Sequence, residues 1–243
     1  MRSSLGNLLA VCAVIGACVS TNAATFEVNP NAAWVGYMNV FDIPQNGGGG
    51  PYPPNLGPYQ FGSGWGTADL CATWVGAAPI TALILSPNTI GDPNPYWYVP
   101  SGGPGAIGNK IMDANMYVEP AGSLPGQAVT FTGTVLGNTL FGHADPLGNG
   151  WTSVAFIKDF APDYSSFVSV TVPLNAGPFS ITLNTINDPA RHVQYGFETL
   201  GPDVWITDVA QYGNIQIAAV PEPSTLALLG LALGIPALLR RRQ

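Results

Sequence analysis

Val129-Thr-Phe-Thr-Gly-Thr-Val135 sets apolar or small residues at the odd positions and threonines at the even ones. That period of two belongs to a half-buried β-strand, whose successive side chains point to opposite faces. Phe167-Val-Ser-Val-Thr-Val172 repeats the alternation. Working outward from these two, short runs rich in β-branched and aromatic residues at 33–41, 67–74, 81–85, 110–119, 152–158, 179–183, 192–198, 205–209 and 214–218 read as further strands. Residues 46–58 hold a four-glycine run and four prolines, so they predict a surface loop. No segment between the two ends sustains a 3.6-residue apolar period. Ten or more short strands without helices predict an all-β fold, a two-sheet antiparallel β-sandwich.

Composition narrows what such a body does. Nothing recurs at a fixed period, so a repeat architecture is not expected. Of the three cysteines, Cys12 and Cys18 lie near the N-terminus, and Cys71 is left alone in the body. No internal disulfide can then form, and stability has to come from the core. Four of the seven basic residues are Arg2, Arg240, Arg241 and Arg242. Lys110, Lys158 and Arg191 face fourteen acids between Glu27 and Glu222, thirteen of them before the tail, which leaves the body at −10. Nucleic acid and anionic lipid need a basic patch and are poor partners for it. Neutral glycans and divalent cations remain compatible.

Both ends carry addresses. Arg2, an apolar stretch over 8–19 and Thr21-Asn-Ala-Ala24 read as a signal peptide for the Sec translocon, cleaved after Ala23 or, second, after Ala24. Ile15-Gly-Ala-Cys18 offers a competing lipoprotein reading with Cys18 acylated. At the other end Val220-Pro-Glu-Pro-Ser-Thr225 leads into an apolar run over 226–239 and closes on Arg240-Arg-Arg-Gln243. Fourteen apolar residues make a helix of roughly 21 Å, short of the ~30 Å hydrocarbon core. The arginines would stay cytoplasmic and leave the body outside. This tail resembles the PEP-CTERM sorting signal of Gram-negative bacteria through Pro221, Glu222 and Pro223, the short transmembrane helix and the flanking Arg240, Arg241 and Arg242. The resemblance implies recognition by a membrane-embedded exosortase and cleavage near the motif. The mature chain would then be released or joined to the extracellular polysaccharide matrix. The organisation expected is a signal peptide (1–23), an exported sandwich (24–219) and a sorting segment (220–243).

Residues 129–218 also resemble the jelly-roll sandwich of galactose-binding-like and carbohydrate-binding domains. The resemblance rests on Val129 to Val135, Thr152-Ser-Val-Ala-Phe-Ile-Lys-Asp159 and Val204-Trp-Ile-Thr-Asp-Val209. It implies a ligand-facing strand followed by a strand that closes the sandwich beside the first, and it carries over no binding residue.

Catalytic constellations are absent from the pattern. His143 and His192 are the two histidines, no Gly-x-Ser-x-Gly elbow occurs, and His143-Ala-Asp145 lacks a third ligand. Cys71, between Leu70 and Ala72, is expected buried and inert. No catalytic residue and no cofactor are assigned. Calcium takes oxygens from Asp and Asn in loops. Asp92, Asp159 and Asp163 are candidate ligands, with Asp113-Ala-Asn115 a further pair, although Asp and Asn beside Pro also simply make turns. Aromatics carry the binding signal. Asp92-Pro-Asn-Pro-Tyr-Trp-Tyr-Val-Pro100 frames three rings; in an extended segment Tyr96 and Tyr98 would share one side and Trp97 take the other. Trp65 and Trp151 stand in glycine-rich segments and join them as candidates for stacking on sugar faces. Trp34, Trp74 and Trp205 are expected in the core. The chain thus reads as an exported, non-enzymatic surface or matrix protein with a body fit to bind glycan. The alternatives are a structural matrix component without a ligand and a secreted glycoside hydrolase pairing Glu119 with Glu198.

Overall fold

The computed structural model describes residues 23–47, 56–77 and 80–220. The signal peptide with Cys18, the sorting tail with Pro221, Glu222, Pro223, Arg240, Arg241 and Arg242, and the expected transmembrane helix lie outside the described residues. Within them the chain is built from strands: β1 (Ala23–Phe26), β2 (Val35–Asp42), β3 (Tyr59–Trp65), β4 (Ala72–Val75), β5 (Ala82–Leu85), β6 (Tyr98–Val99), β7 (Ile107–Gly108), β8 (Lys110–Val118), β9 (Ala128–Asn138), β10 (Thr152–Phe160), β11 (Phe167–Pro173), β12 (Gly177–Asn184), β13 (His192–Pro202) and β14 (Ile215–Ala218). Two short 3₁₀ turns, Pro44–Asn46 and Val209–Tyr212, are the helical elements among the described residues.

Two sheets face each other. Sheet II runs β11-β10-β13-β8-β2-β3, antiparallel throughout. Sheet I is organised around β9. β12 lies antiparallel along 128–135, and β1 pairs in parallel along 128–131. β14 takes 135–138 and passes the sheet on to β5 and β4. A strand has two edges, so β1 and β14 share one edge of β9 end to end while β12 holds the other.

The alternation predicted for 129–135 is what fills the space between the sheets. Val129, Phe131 and Val135 point inward and are buried, as are Met112, Ala114, Met116 and Val118 of β8 and Val193, Tyr195 and Phe197 of β13. Phe131 packs 4.9 Å from the ring of Tyr195 and 5.4 Å from that of Phe197, in tilted geometry that suits the ring quadrupoles. One charge points into the same layer. Asp159 is fully buried, and Arg191 answers it with Nε 2.8 Å from Oδ1 while the Ile186 amide donates to Oδ2. A buried carboxylate survives only with such partners.

Most predicted strands stand within two residues of their expected ends, and the differences have local causes. Residues 67–71 turn rather than extend: the amides of Asp69 and Leu70 both donate to the Gly66 carbonyl, and Cys71 adopts φ +58°. Cys71 is therefore half-buried in a turn, where burial raises its thiol pKa. Residues 205–209 also turn, with the Asp208 amide donating to the Trp205 carbonyl before the 3₁₀ segment. The strand expected at 214–218 forms as β14 and pairs with β9. β1, β3 and the small β6–β7 hairpin were not anticipated.

Candidate functional site

Because the inner residues of sheet II are fixed by the core, the intervening ones form its outer face. β2 supplies Tyr37, Asn39 and Phe41, and β8 supplies Asp113, Asn115 and Tyr117. β13 supplies Gln194, Glu198 and Leu200, and β10 supplies Lys158 and Phe160. With Tyr164 and Phe167 they line a cleft of about 600 Å³.

Its floor is one connected polar chain across four strands. Asn39 Nδ2 donates to Asp113 Oδ2 at 2.9 Å, and Asn115 Nδ2 donates to Asp113 Oδ1 at 2.7 Å. Lys158 Nζ then donates to Asn115 Oδ1 at 2.8 Å and to Glu198 Oε2 at 2.9 Å. The register explains how a lysine on β10 reaches β8 across the intervening β13. Lys158 stands opposite Gln194, and Asn115 stands opposite Glu198, so the diagonal between them crosses β13 at residue 196. Residue 196 is Gly, and a Cβ there would come within 2.1 Å of the Met116 carbonyl. Gly196 leaves the path open. Underneath, the Lys158 ammonium sits 4.1 Å from the ring centroid of Phe156.

Electrostatically the floor is closed on itself. Burial first, then the neighbouring Glu198, pushes the Asp113 carboxyl up to about 6. Lys158 and the two asparagine amides pull the other way without cancelling the rise. The walls are aromatic. Phe160 lies 5.0 Å from Phe167 and 5.6 Å from Tyr164, ring centre to ring centre. Tyr164 stacks on His192 at 4.4 Å. His192 Nδ1 lies 2.9 Å from Glu119 Oε1, and Gln194 donates to the other oxygen at 2.9 Å. Tyr164 holds φ +58°, a conformation side-chain-bearing residues adopt reluctantly, beside the open end of the cleft.

The residues singled out from sequence are distributed differently. Tyr96 and Trp97 lie in a turn, not an extended run: Asn94 accepts the amide of Tyr96 on its side chain and those of Trp97 and Tyr98 on its carbonyl. Tyr96 and Tyr98 therefore do not share a face. Tyr96 is exposed, Trp97 packs against the core, and Tyr98 is fully buried, its hydroxyl donating to the Ile90 carbonyl. Trp151 is 5% exposed and packs 4.7 Å from Tyr212. Trp65 ends β3 half-buried, bonded to Ser63. Trp34 and Trp74 pack against the core, and Trp205 lies half-buried against Tyr98. Asp92 and Asp163 cap their own turns through the amides of Asn94 and Ser165. With Asp159 held by Arg191, the three are not brought together, and no three His, Cys, Asp or Glu side chains cluster as ligands among the described residues. His143 is exposed, and Asp145 instead accepts the amides of Leu147 and Asn149. From sequence most cleft residues read as strand positions, Asp113 and Asn115 as a candidate calcium pair, and Glu198 with neighbouring Glu119 as the carboxyls of the hydrolase alternative, while Phe160, Tyr164 and Leu200 carried no reading. Their signal is the outward half of each alternating strand, which becomes a site only once the register is known.

Comparison with known families matches the PEP-CTERM protein-sorting motif to residues 219–242. The tail is thus a PEP-CTERM sorting motif, the mark of an exported chain with a transient membrane anchor and an exosortase as its processing partner. Its first residues are still tied to the body, since the Ala219 amide donates to the Thr81 carbonyl and the Val220 amide to that of Val28. No curated protein and no solved structure matches the chain.

Proposed function

We propose that the exported body is a non-enzymatic module that holds a neutral glycan in the cleft on sheet II, so that the sorting tail delivers a carbohydrate-binding protein to the cell surface or its polysaccharide matrix. The single observation behind this reading is the pairing of aromatic walls with a polar floor whose one cation, Lys158, is paired to Glu198. Rings of Tyr37, Tyr117, Tyr164 and Phe167 offer faces for the apolar side of a sugar, and the floor offers hydroxyl partners without a net cationic charge. An acidic polymer would meet Glu119, Glu198 and a body of −10.

Binding rather than hydrolysis is favoured by the state of the carboxyls. Both Asp113 oxygens accept from asparagine amides, Glu198 is occupied by Lys158, and Glu119 by His192 and Gln194. None is free to give a proton to a leaving group without breaking a bond that holds the floor.

Titration calorimetry of the processed protein against a panel of neutral oligosaccharides tests the reading. A ligand whose affinity falls at least tenfold in Tyr117→Ala and is unchanged in Trp97→Ala supports it. Binding lost in Trp97→Ala and kept in Tyr117→Ala moves the site to the loop.

A further inference from the structure

On one flank of the sandwich, both sheets end in a strand with no neighbour among the described residues: β11 in sheet II and β12 in sheet I. Three residues, 174–176, connect them. Exposed edges are normally blunted by charge, proline, bulges or shortness, because unpaired amides and carbonyls recruit another strand. The opposite flank follows that rule. β4 is four residues long, and β3 carries two glycines and a register shift. β11 does not. It is seven residues of Phe-Val-Ser-Val-Thr-Val-Pro with its one proline at the last position, and no charged residue occurs anywhere from Tyr164 to Asn187, in a body that carries −10.

The hydrogen-bond phase of β11 says which groups are open. The Ala161 amide donates to the Ser166 carbonyl, and the Leu174 amide to that of Ser153. With the β10–β11 register between them, alternation turns residues 168, 170 and 172 toward β10. The amides of Phe167, Ser169 and Thr171 are left at the free edge with the carbonyls of the same residues, while the Pro173 carbonyl accepts the Asn175 amide. That set is self-complementary. Two antiparallel copies centred on Ser169 place Phe167 against Thr171 of the second copy, and every free amide of one meets a carbonyl of the other. Val168, 41% exposed, then lies opposite Val170 of the second copy. A closed two-fold contact of this kind joins like to like and stops at two.

We propose that β11 pairs with β11 of a second copy of this chain, joining two copies of sheet II edge to edge and presenting both clefts on one continuous face. The absence of charge selects the partner. Elsewhere two bodies of −10 repel each other, and this flank is where they can approach.

Sedimentation velocity of the processed protein, recovered after export, tests the pairing. A concentration-dependent dimer is expected. Ser169→Lys and Ser169→Glu each set like charges face to face at the two-fold and should leave monomers with unchanged circular dichroism and melting temperature. Mixing the two variants should restore the dimer mass. A wild-type monomer at the highest soluble concentration overturns the proposal. So does a dimer that survives in both variants, or folded variants that stay monomeric when mixed.

Discussion

Two regions of this molecule are rich in aromatic rings, and they use them in opposite ways. Tyr96, Trp97 and Tyr98 are consecutive, and the turn formed on Asn94 spends two of the three rings on the core. The rings around the sheet II cleft come from five separate segments, and the register leaves them facing outward. Rings adjacent in sequence are divided between inside and outside by whatever the backbone does locally. Rings placed two apart on paired strands are gathered on one face by the pleat.

The sharpest way to break this comparison is to truncate a ring on each side of it. Tyr98 is fully buried, and its hydroxyl, held against the Ile90 carbonyl, has its pKa raised to about 12 by burial and then by Asp203. Tyr98→Ala should cost about 3–5 kcal/mol in urea denaturation, the range for emptying a large buried aromatic site. Tyr117, half-buried on the cleft side, should cost less than about 2 kcal/mol on truncation. Equal losses would mean that the cleft wall is part of the core.

A smaller effect sharpens the contrast through pH. Unfolded, Asp113 titrates in the ordinary carboxyl range, near 4. In the folded cleft it holds its proton to about 6. Across that window the native state binds more protons than the unfolded state, so stability falls as pH rises, by at most about 3 kcal/mol. Asp113→Asn removes that contribution. Asp203, pushed up to about 8 by burial, adds a fall of the same sign that runs further. The readout is therefore the difference between wild type and variant, which should grow from pH 4 to pH 6 and then stay level. A flat difference would show that Asp113 is solvated like any surface carboxylate.

The contrast also explains what was legible beforehand. Alternation over 129–135 and 167–172 identified β9 and β11, and the same logic located most of the other long strands, because core burial enforces it over seven or more residues. β3 escaped, since Tyr-Gln-Phe-Gly-Ser-Gly-Trp has too few apolar residues to show a period and is held by pairing to β2 alone. β1 escaped because its first two residues, Ala23 and Ala24, read as the end of a cleavage site, while β9 offers the strand a parallel lane. The sorting motif was fully legible, being contiguous and read by order alone. The cleft was not, because Lys158 reaches Asn115 across Gly196 only by virtue of two registers that no local pattern encodes.

The smallest predicted effect isolates what the cleft gives up for its shape. Tyr164 keeps φ +58° while its ring lies on His192 and forms part of the wall. Tyr164→Ala and Tyr164→Gly both remove the ring, but only glycine occupies that backbone region without strain. The two variants should lose ligand affinity equally, and glycine should be the more stable by about 1 kcal/mol. Melting curves of the two side by side measure the difference directly, because ring loss cancels between them. A glycine variant no more stable than alanine would mean that the loop relaxes once the ring is gone. The strain would then be held by the stacking on His192, and the cleft end would be shaped by that contact alone.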